Sequence, residues 1–327
     1  MNDKSLGVVC CYFNPSGYKT RYNNFIEFYS ALKKQIKNVH VIEMDSVLRL
    51  PEEVKSKLVS CKSPLWHKEN LLNIGISDLI DDGYENIAWL DSDIIFHDSF
   101  WIKDTVDCLS RYNLCQLFSR AIKSSKHETC HPGCVRYWHE TGNIYPSNTF
   151  YHTGYAWASR SECLKECLLY DKGIVGGADS LMWFGSFDGT INIYELLQSH
   201  PIFKLDINAY IIDYLDWSEK WGATINGEVS YVYNNIYAPH QGSNHRKQYL
   251  SRYNILSDNK FSPKRDLVYN NNILECTNKK LSNDILNYFN SRKEDKISLL
   301  DKILIYLEKA AIKKEIKDAD DFLSKNL

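Results

Sequence analysis

The stretch Ile87-Ala88-Trp89-Leu90-Asp91-Ser92-Asp93-Ile94-Ile95-Phe96 constrains the fold more than any other part of the chain. Two apolar runs flank an Asp-x-Asp. A short continuous apolar run is what a strand covered on both faces requires, and such strands belong to parallel sheets with helices on each side. Ligands of open α/β sheets gather beyond the carboxyl ends of the strands. Asp91 and Asp93 would stand there as two hard oxygen donors, the kind that holds Mg²⁺ or Mn²⁺ together with phosphate oxygens. A solvated acidic turn between two strands would satisfy the same residues, so the surrounding pattern has to decide.

That pattern is α/β. Residues 6–13 (LGVVCCYF) read as a buried first strand, ended by the turn residues Asn14-Pro15-Ser16-Gly17. Residues 22–36 carry a helical spacing of apolar positions, and residues 38–44 alternate with β-branched side chains, which gives a β-α-β opening to a parallel sheet. A helix is predicted over 68–80, with Leu72, Ile76, Leu79 and Ile80 on one stripe and Asp81-Asp82-Gly83 ending it. Lys68 and Asn73 near its start are candidates to face a ligand. A further helix is expected over 101–112, a strand over 113–118, a loop over 127–140 and an aromatic strand-like run over 149–158. Ser159, with Glu162 three residues on, has the form of a capping box. A helix over 206–221 and a late strand over 229–237 complete this part.

Three later features add chemistry. Gly176-Gly177-Ala178-Asp179 places a carboxylate at a helix start behind a glycine pair that lets a ligand approach the backbone. Asp179 also reads as a plain helix cap, and Asp188 is the reserve candidate for the same catalytic role. His240 stands at the end of the late strand, and Arg246 and Lys247 follow in a Gly-containing loop, so one short segment offers an imidazole and two cations. Cys130-x3-Cys134, with His127, His131 and His139 nearby and Cys163-x3-Cys167 beyond, invites a zinc reading. The spacing matches no strong Cys/His signature, and ordinary thiols are the preferred account.

Composition excludes some partners. A net charge of −2 over 327 residues creates no global field toward nucleic acid or anionic lipid. No apolar run approaches the roughly 18 residues of a membrane span, and residues 1–6 lack the layout of a signal peptide. The 10 cysteines are then expected to be reduced thiols of a cytoplasmic protein. From about residue 276 the chain turns rich in Lys, Asp, Asn, Leu and Ile. Amphipathic helices are expected there, packing on the domain, pairing with a second copy or touching a partner.

The motifs W-x-K-E-x-L-L-N (Trp66 to Asn73), W-L-D-S-D (Trp89 to Asp93) and H-x-G-S…R-x-x-Y-x-x-R (His240 to Arg252), with Phe261-x-Pro263-x-x-Asp266 after them, follow one another in order. In this order they resemble the metal-dependent glycosyltransferases of the GT-A fold, and more narrowly a group of glycosyltransferase-like proteins in phages, giant viruses and bacteria. The resemblance covers about residues 6–270. It implies a Rossmann-like α/β domain over 1–275 with a mixed, mainly parallel sheet flanked by helices, and a C-terminal helical appendage over 276–327. It implies transfer of a sugar from a nucleotide sugar, above all a UDP-sugar, with Mn²⁺ or Mg²⁺. Asp93 would bind the metal directly, Asp91 would reach ribose or metal through water, and His240 would be the late metal ligand. Tyr12, Phe13 and Asn14 would frame the base with help from Lys68, and Arg246 or Lys247 would steady the diphosphate. Asp179 would be the base of an inverting enzyme, or an acceptor contact in a retaining one. The acceptor would be a glycan, a lipid-linked sugar, a protein or a modified nucleobase. Gln241 stands between His240 and Gly242, where the group often has His-Gly directly. A nucleotidyltransferase and a catalytically inert glycan-binding or scaffold protein of the same fold are the alternatives.

Overall fold

The structure is a computed structural model that describes residues 4–44, 48–123, 129–145, 150–187, 207–239, 248 and 251–296. Its strands are β1 (Gly7–Tyr12), β2 (His40–Met44), β3 (Lys57–Val59), β4 (Asn86–Leu90), β5 (Ile95–Phe96), β6 (Leu114–Gln116), β7 (Arg120–Lys123), β8 (Thr129–Pro132), β9 (Ala156–Arg160), β10 (Val229–Tyr231), β11 (Asn235–Ala238), β12 (Leu267–Asn270) and β13 (Ile273–Cys276). The helices are α1 (Lys19–Gln35), α2 (Lys68–Asp81), α3 (Phe100–Leu109), α4 (Cys134–Thr141), α5 (Ser161–Glu166), α6 (Ala178–Gly185), α7 (Asn208–Ile225), α8 (Asn254–Asp258), α9 (Pro263–Asp266) and α10 (Lys279–Ser291).

The central sheet has the order β10-β6-β9-β4-β1-β2-β3. Neighbours run parallel except where β9 pairs antiparallel with β4 and β6. Every residue of β1 and β4 is buried, which is why both read as unbroken apolar runs. Successive side chains leave opposite faces of the strand. Val9, Cys11 and Phe13 therefore join a core under α2, α6, α7 and α10, while Val8, Cys10 and Tyr12 join a second core with Phe25, Phe28 and Leu32 of α1. The fold is mixed α/β with a largely parallel central sheet between helices, as the sequence pattern led one to expect.

Register determines where the site can lie. Cys10 pairs with Leu90, and Leu90 pairs with Ala156. The carboxyl ends of β1 and β4 thus meet the amino end of antiparallel β9 at one edge. A second sheet, β5-β11-β7-β8, and the β12–β13 hairpin complete the sheet structure among the described residues. No helix among them is long and apolar enough to cross a membrane.

Several expectations are corrected. Residues 129–141 form β8 and α4 rather than a loop. Ser159 lies inside β9, paired with Ile87 and Leu114, so it does not open a helix. Its hydroxyl donates to the Asn113 carbonyl, and α5 starts two residues later without a side-chain cap. The late strand divides into β10, parallel to β6, and β11, parallel to β7 in the second sheet. Leu281, Ile285, Tyr288 and Phe289 form the buried stripe of α10 in the α2-side core. The helices expected beyond residue 296 fall outside the described residues.

Candidate active site

Lys68, Asp91 and Asp179 converge at the edge set by that register. Asp91 follows β4, its N–H donating to the Tyr155 carbonyl at 2.6 Å and its Oδ2 accepting from the Tyr155 N–H at 3.2 Å. Lys68 opens α2. Its ammonium donates to Asp91 Oδ1 at 2.7 Å and to both oxygens of Asp179 at 2.8 Å, with Glu69 Oε1 at 3.7 Å. Asp179 lies in the first turn of α6 and is not its cap. That position belongs to Gly177, held at φ 97°, in the left-handed region that glycine adopts without steric cost.

Burial opposes the charge on Lys68, but Asp179, Asp91 and Glu69 outweigh it and hold the ammonium well above its ordinary range. Burial raises Asp179 above the usual carboxylate range, with Lys68 pulling the other way. Glu69 lies deeper. Desolvation pushes its carboxyl up to about 8, and its Oε2 has no hydrogen-bond partner. A cavity of about 10 Å³, lined in part by Lys68, Glu69, Tyr170 and Asp179, lies beside these groups. That is near the least space that holds one water molecule.

Trp66, half-buried just ahead of α2, forms a wall next to this cluster. Phe13 meets its ring edge-on at 5.6 Å and Phe289 stacks on it at 6.1 Å. Three guanidinium groups, from Arg21, Arg252 and Arg292, lie 5.8, 5.9 and 5.4 Å from the same ring, within the range of cation–π attraction. Arg252 donates to the Tyr253 hydroxyl at 3.1 Å, and its field also acts on Asp179. A Cβ at Gly177 would collide with that Tyr253 hydroxyl. The field of Asp93 reaches Arg21.

Of the residues singled out in the sequence, Lys68, Asp91 and Asp179 come together, and the charge of Asp93 acts on Arg21. Tyr12 and Asn14 are committed to the fold instead of presenting side chains to a ligand. Tyr12 donates to the Leu48 carbonyl, and Asn14, fully buried, ties up both backbone groups of Tyr18. Phe13 is buried against Trp66. The Asn73 amide donates to the Leu169 carbonyl and accepts from the Leu169 N–H. Asp188, His240, Arg246 and Lys247 lie outside the described residues, as does His127. Of the Cys/His residues, Cys134 is buried and donates to Gln116, and Cys163 and Cys167 are core residues. Among the described residues no group of three or more His, Cys, Asp or Glu is placed to hold a metal by itself.

Glu69, Trp66, Arg21 and Arg252 were not picked out as site residues from the sequence. Two of them belong to W-x-K-E-x-L-L-N and Arg252 ends R-x-x-Y-x-x-R, so membership of a motif was the available signal. Arg21 carries none.

No protein-family model matches the chain, and no curated protein matches it in sequence. Solved structures do show similarity. A Desulfovibrio desulfuricans protein named as a nucleotide-diphospho-sugar transferase is 11% identical at a TM-score of 0.30, over 50% of this chain and 65% of that one. This chain thus spans less than two thirds of that protein. Glucosyl-3-phosphoglycerate synthase from Mycobacterium tuberculosis, in complex with Mn²⁺, UDP-glucose and phosphoglyceric acid, is 10% identical at a TM-score of 0.40, over 81% and 83%. A Bacillus anthracis protein named as a glucose-1-phosphate thymidylyltransferase is 11% identical at 0.35, over 82% and 98%.

Proposed function

We propose that this chain is a metal-dependent glycosyltransferase that moves a sugar from a nucleotide sugar, above all a UDP-sugar, to a hydroxyl acceptor. The observation that carries the reading is the convergence of Asp91 and Asp179 on the single ammonium of Lys68 at the carboxyl edge of a largely parallel sheet. Such an edge is where α/β folds bind nucleotides. The order of the sequence motifs supports it independently.

Asp179 is the base in this reading. Its carboxylate takes the proton of the acceptor hydroxyl as that oxygen attacks the sugar carbon and the nucleoside diphosphate departs. Burial makes Asp179 more basic than a surface carboxylate, which suits that role. Lys68 fixes Asp179 relative to Asp91 and keeps the two like charges from repelling. The carboxylates are hard oxygen donors of the kind that fits Mn²⁺ or Mg²⁺. By the resemblance Asp93 would be the direct ligand and His240, outside the described residues, the imidazole that joins it, while Asp91 holds Lys68 and the Tyr155 N–H. When bound, such a cation neutralises charge on the leaving diphosphate. Arg246 or Lys247, also outside the described residues, would add fixed positive charge for the diphosphate.

A panel of nucleotide sugars, tested for slow hydrolysis with and without Mn²⁺, checks this directly. The expected result is metal-dependent release of UDP from one donor. Formation of a nucleotide sugar from a nucleoside triphosphate and a sugar phosphate would instead favour the nucleotidyltransferase. No turnover and no thermal shift with any nucleoside diphosphate would favour the inert scaffold.

A further inference from the structure

We propose that Glu294 is a positioning residue of this site: it holds the Arg21 and Arg292 guanidiniums against the Trp66 ring and so fixes the cationic face of the wall beside Lys68. The inference rests on the glycosyltransferase reading and adds a part to it, since the donor-side wall is then completed from the C-terminal side of the chain.

The contacts are dense and specific. Arg21 Nε donates to Glu294 Oε2 at 2.7 Å and Nη2 to Oε1 at 2.9 Å, a two-pronged pairing that fixes the plane of the guanidinium as well as its position. Arg292 Nε donates to the same carboxylate at 2.6 Å, and its Nη1 donates to the Tyr288 hydroxyl at 2.9 Å. Glu294 and Arg292 are buried, whereas the Arg21 side chain keeps 21% of its surface exposed. One carboxylate shared between two guanidiniums leaves these three groups with net positive charge, so Arg21 still pulls on an anion in front of it. Desolvation works against the Arg21 charge, but Glu294 and, beyond it, Asp93 more than restore it.

Adjacent residues hold the same segment in place. Asp295 accepts from the Lys19 and Thr20 N–H groups at 3.0 and 2.8 Å. It thereby supplies a cap to α1, which has no side-chain cap of its own and no acid in its first turn. The Tyr18 hydroxyl donates to the Phe289 carbonyl at 2.7 Å and accepts from the Lys293 N–H at 2.9 Å. The pairing of roles is what makes a test possible: Asp295 grips backbone only, whereas Glu294 grips the two guanidiniums that lie against Trp66.

The experiment measures UDP binding in the presence of Mn²⁺ by calorimetry, with melting temperature in parallel, for the full chain and five variants. Glu294→Gln and Arg21→Ala should each weaken binding by about 10- to 100-fold, the size of loss seen when a supporting partner behind a binding site is removed. The double variant should bind no worse than Arg21→Ala, because both changes remove one function. Asp295→Asn should lower the melting temperature yet keep binding within about twofold, the effect of a lost helix cap without a change at the site. Arg21→Lys keeps the charge but loses the fork, and should bind measurably more weakly than the unmodified chain even if Glu294→Gln does not fold. Unchanged binding in Glu294→Gln, equal losses in Glu294→Gln and Asp295→Asn, or multiplied losses in the double variant would each overturn the positioning role alone. No binding of any nucleoside diphosphate by the unmodified chain would overturn the transferase reading and this inference with it.

Discussion

Glu69 is the residue whose chemistry departs furthest from what its neighbours in sequence suggest. Desolvation holds its carboxyl at about 8 against a usual 4.5, so the folded chain keeps a proton that the unfolded chain releases. Stability linked to this group is fully present below the unfolded value. It falls as pH rises from about 4.5 to 8, by up to roughly 1.4 kcal/mol per pH unit. Glu69→Gln keeps the shape and cannot ionise. The gap between its melting temperature and that of the unmodified chain should therefore widen in the variant's favour from pH 5 to 8, and parallel curves would mean that Glu69 is charged throughout. Asp179 calls for a kinetic test. Asp179→Asn should retain UDP binding and lose about 10²- to 10⁴-fold in transfer, the usual worth of a general base. Transfer at the normal rate would remove Asp179 from the base role. Neither position announced its environment in the sequence. Glu69 looks like any helix surface residue until α2 is seen to start between β1, β4 and α6.

At the scale of elements, legibility followed burial. β1, β2, β4 and α2 were readable because a strand covered on both faces and a helix with one buried stripe leave strong apolar patterns. The capping-box reading at Ser159 failed because the same residues also suit a strand end, and pairing with β4 and β6 carries β9 through Arg160. The division of residues 229–238 between two sheets left no Gly or Pro as a mark. The turn before α6 reads in the sequence as a place where a ligand approaches the backbone, and it yields a further test. Gly177→Ala forces a side chain onto φ 97° and against the Tyr253 hydroxyl, so it should cost about 1–2 kcal/mol from the backbone alone and displace Asp179. Gly142, also left-handed at φ 72° but with open space around it at the end of α4, serves as the control. Gly142→Ala should lower the melting temperature without lowering donor hydrolysis, whereas Gly177→Ala should lower both. Equal hydrolysis in the two variants would mean that the turn does not set the position of Asp179.

For the whole molecule, the motifs revealed the fold class and brought Lys68, Asp91 and Asp179 of the cluster to notice, while the place where the domain stops calls for a test. A change in composition near residue 276 looks like a boundary because charged and amphipathic sequence is what an appendage would show. It is equally what a helix lying on the outside of a core shows, and periodicity alone does not separate the two. Here α10 buries Leu281, Ile285, Tyr288 and Phe289 in the core beneath α2, and Phe289 stacks on Trp66. Burying a large apolar side chain contributes about 1.5–3 kcal/mol, so four of them together reach the order of the whole stability of a typical domain, about 5–15 kcal/mol. Removing the helix would also uncover the Trp66 ring and release the clasp on Arg21. A chain ending at Glu275 is therefore expected to show no cooperative thermal transition and to expose apolar surface to a hydrophobic dye at room temperature. If that truncated chain instead melts cooperatively close to the full-length midpoint, α10 is an appendage after all, and its contacts with Phe13 and Trp66 are not part of what holds the site together.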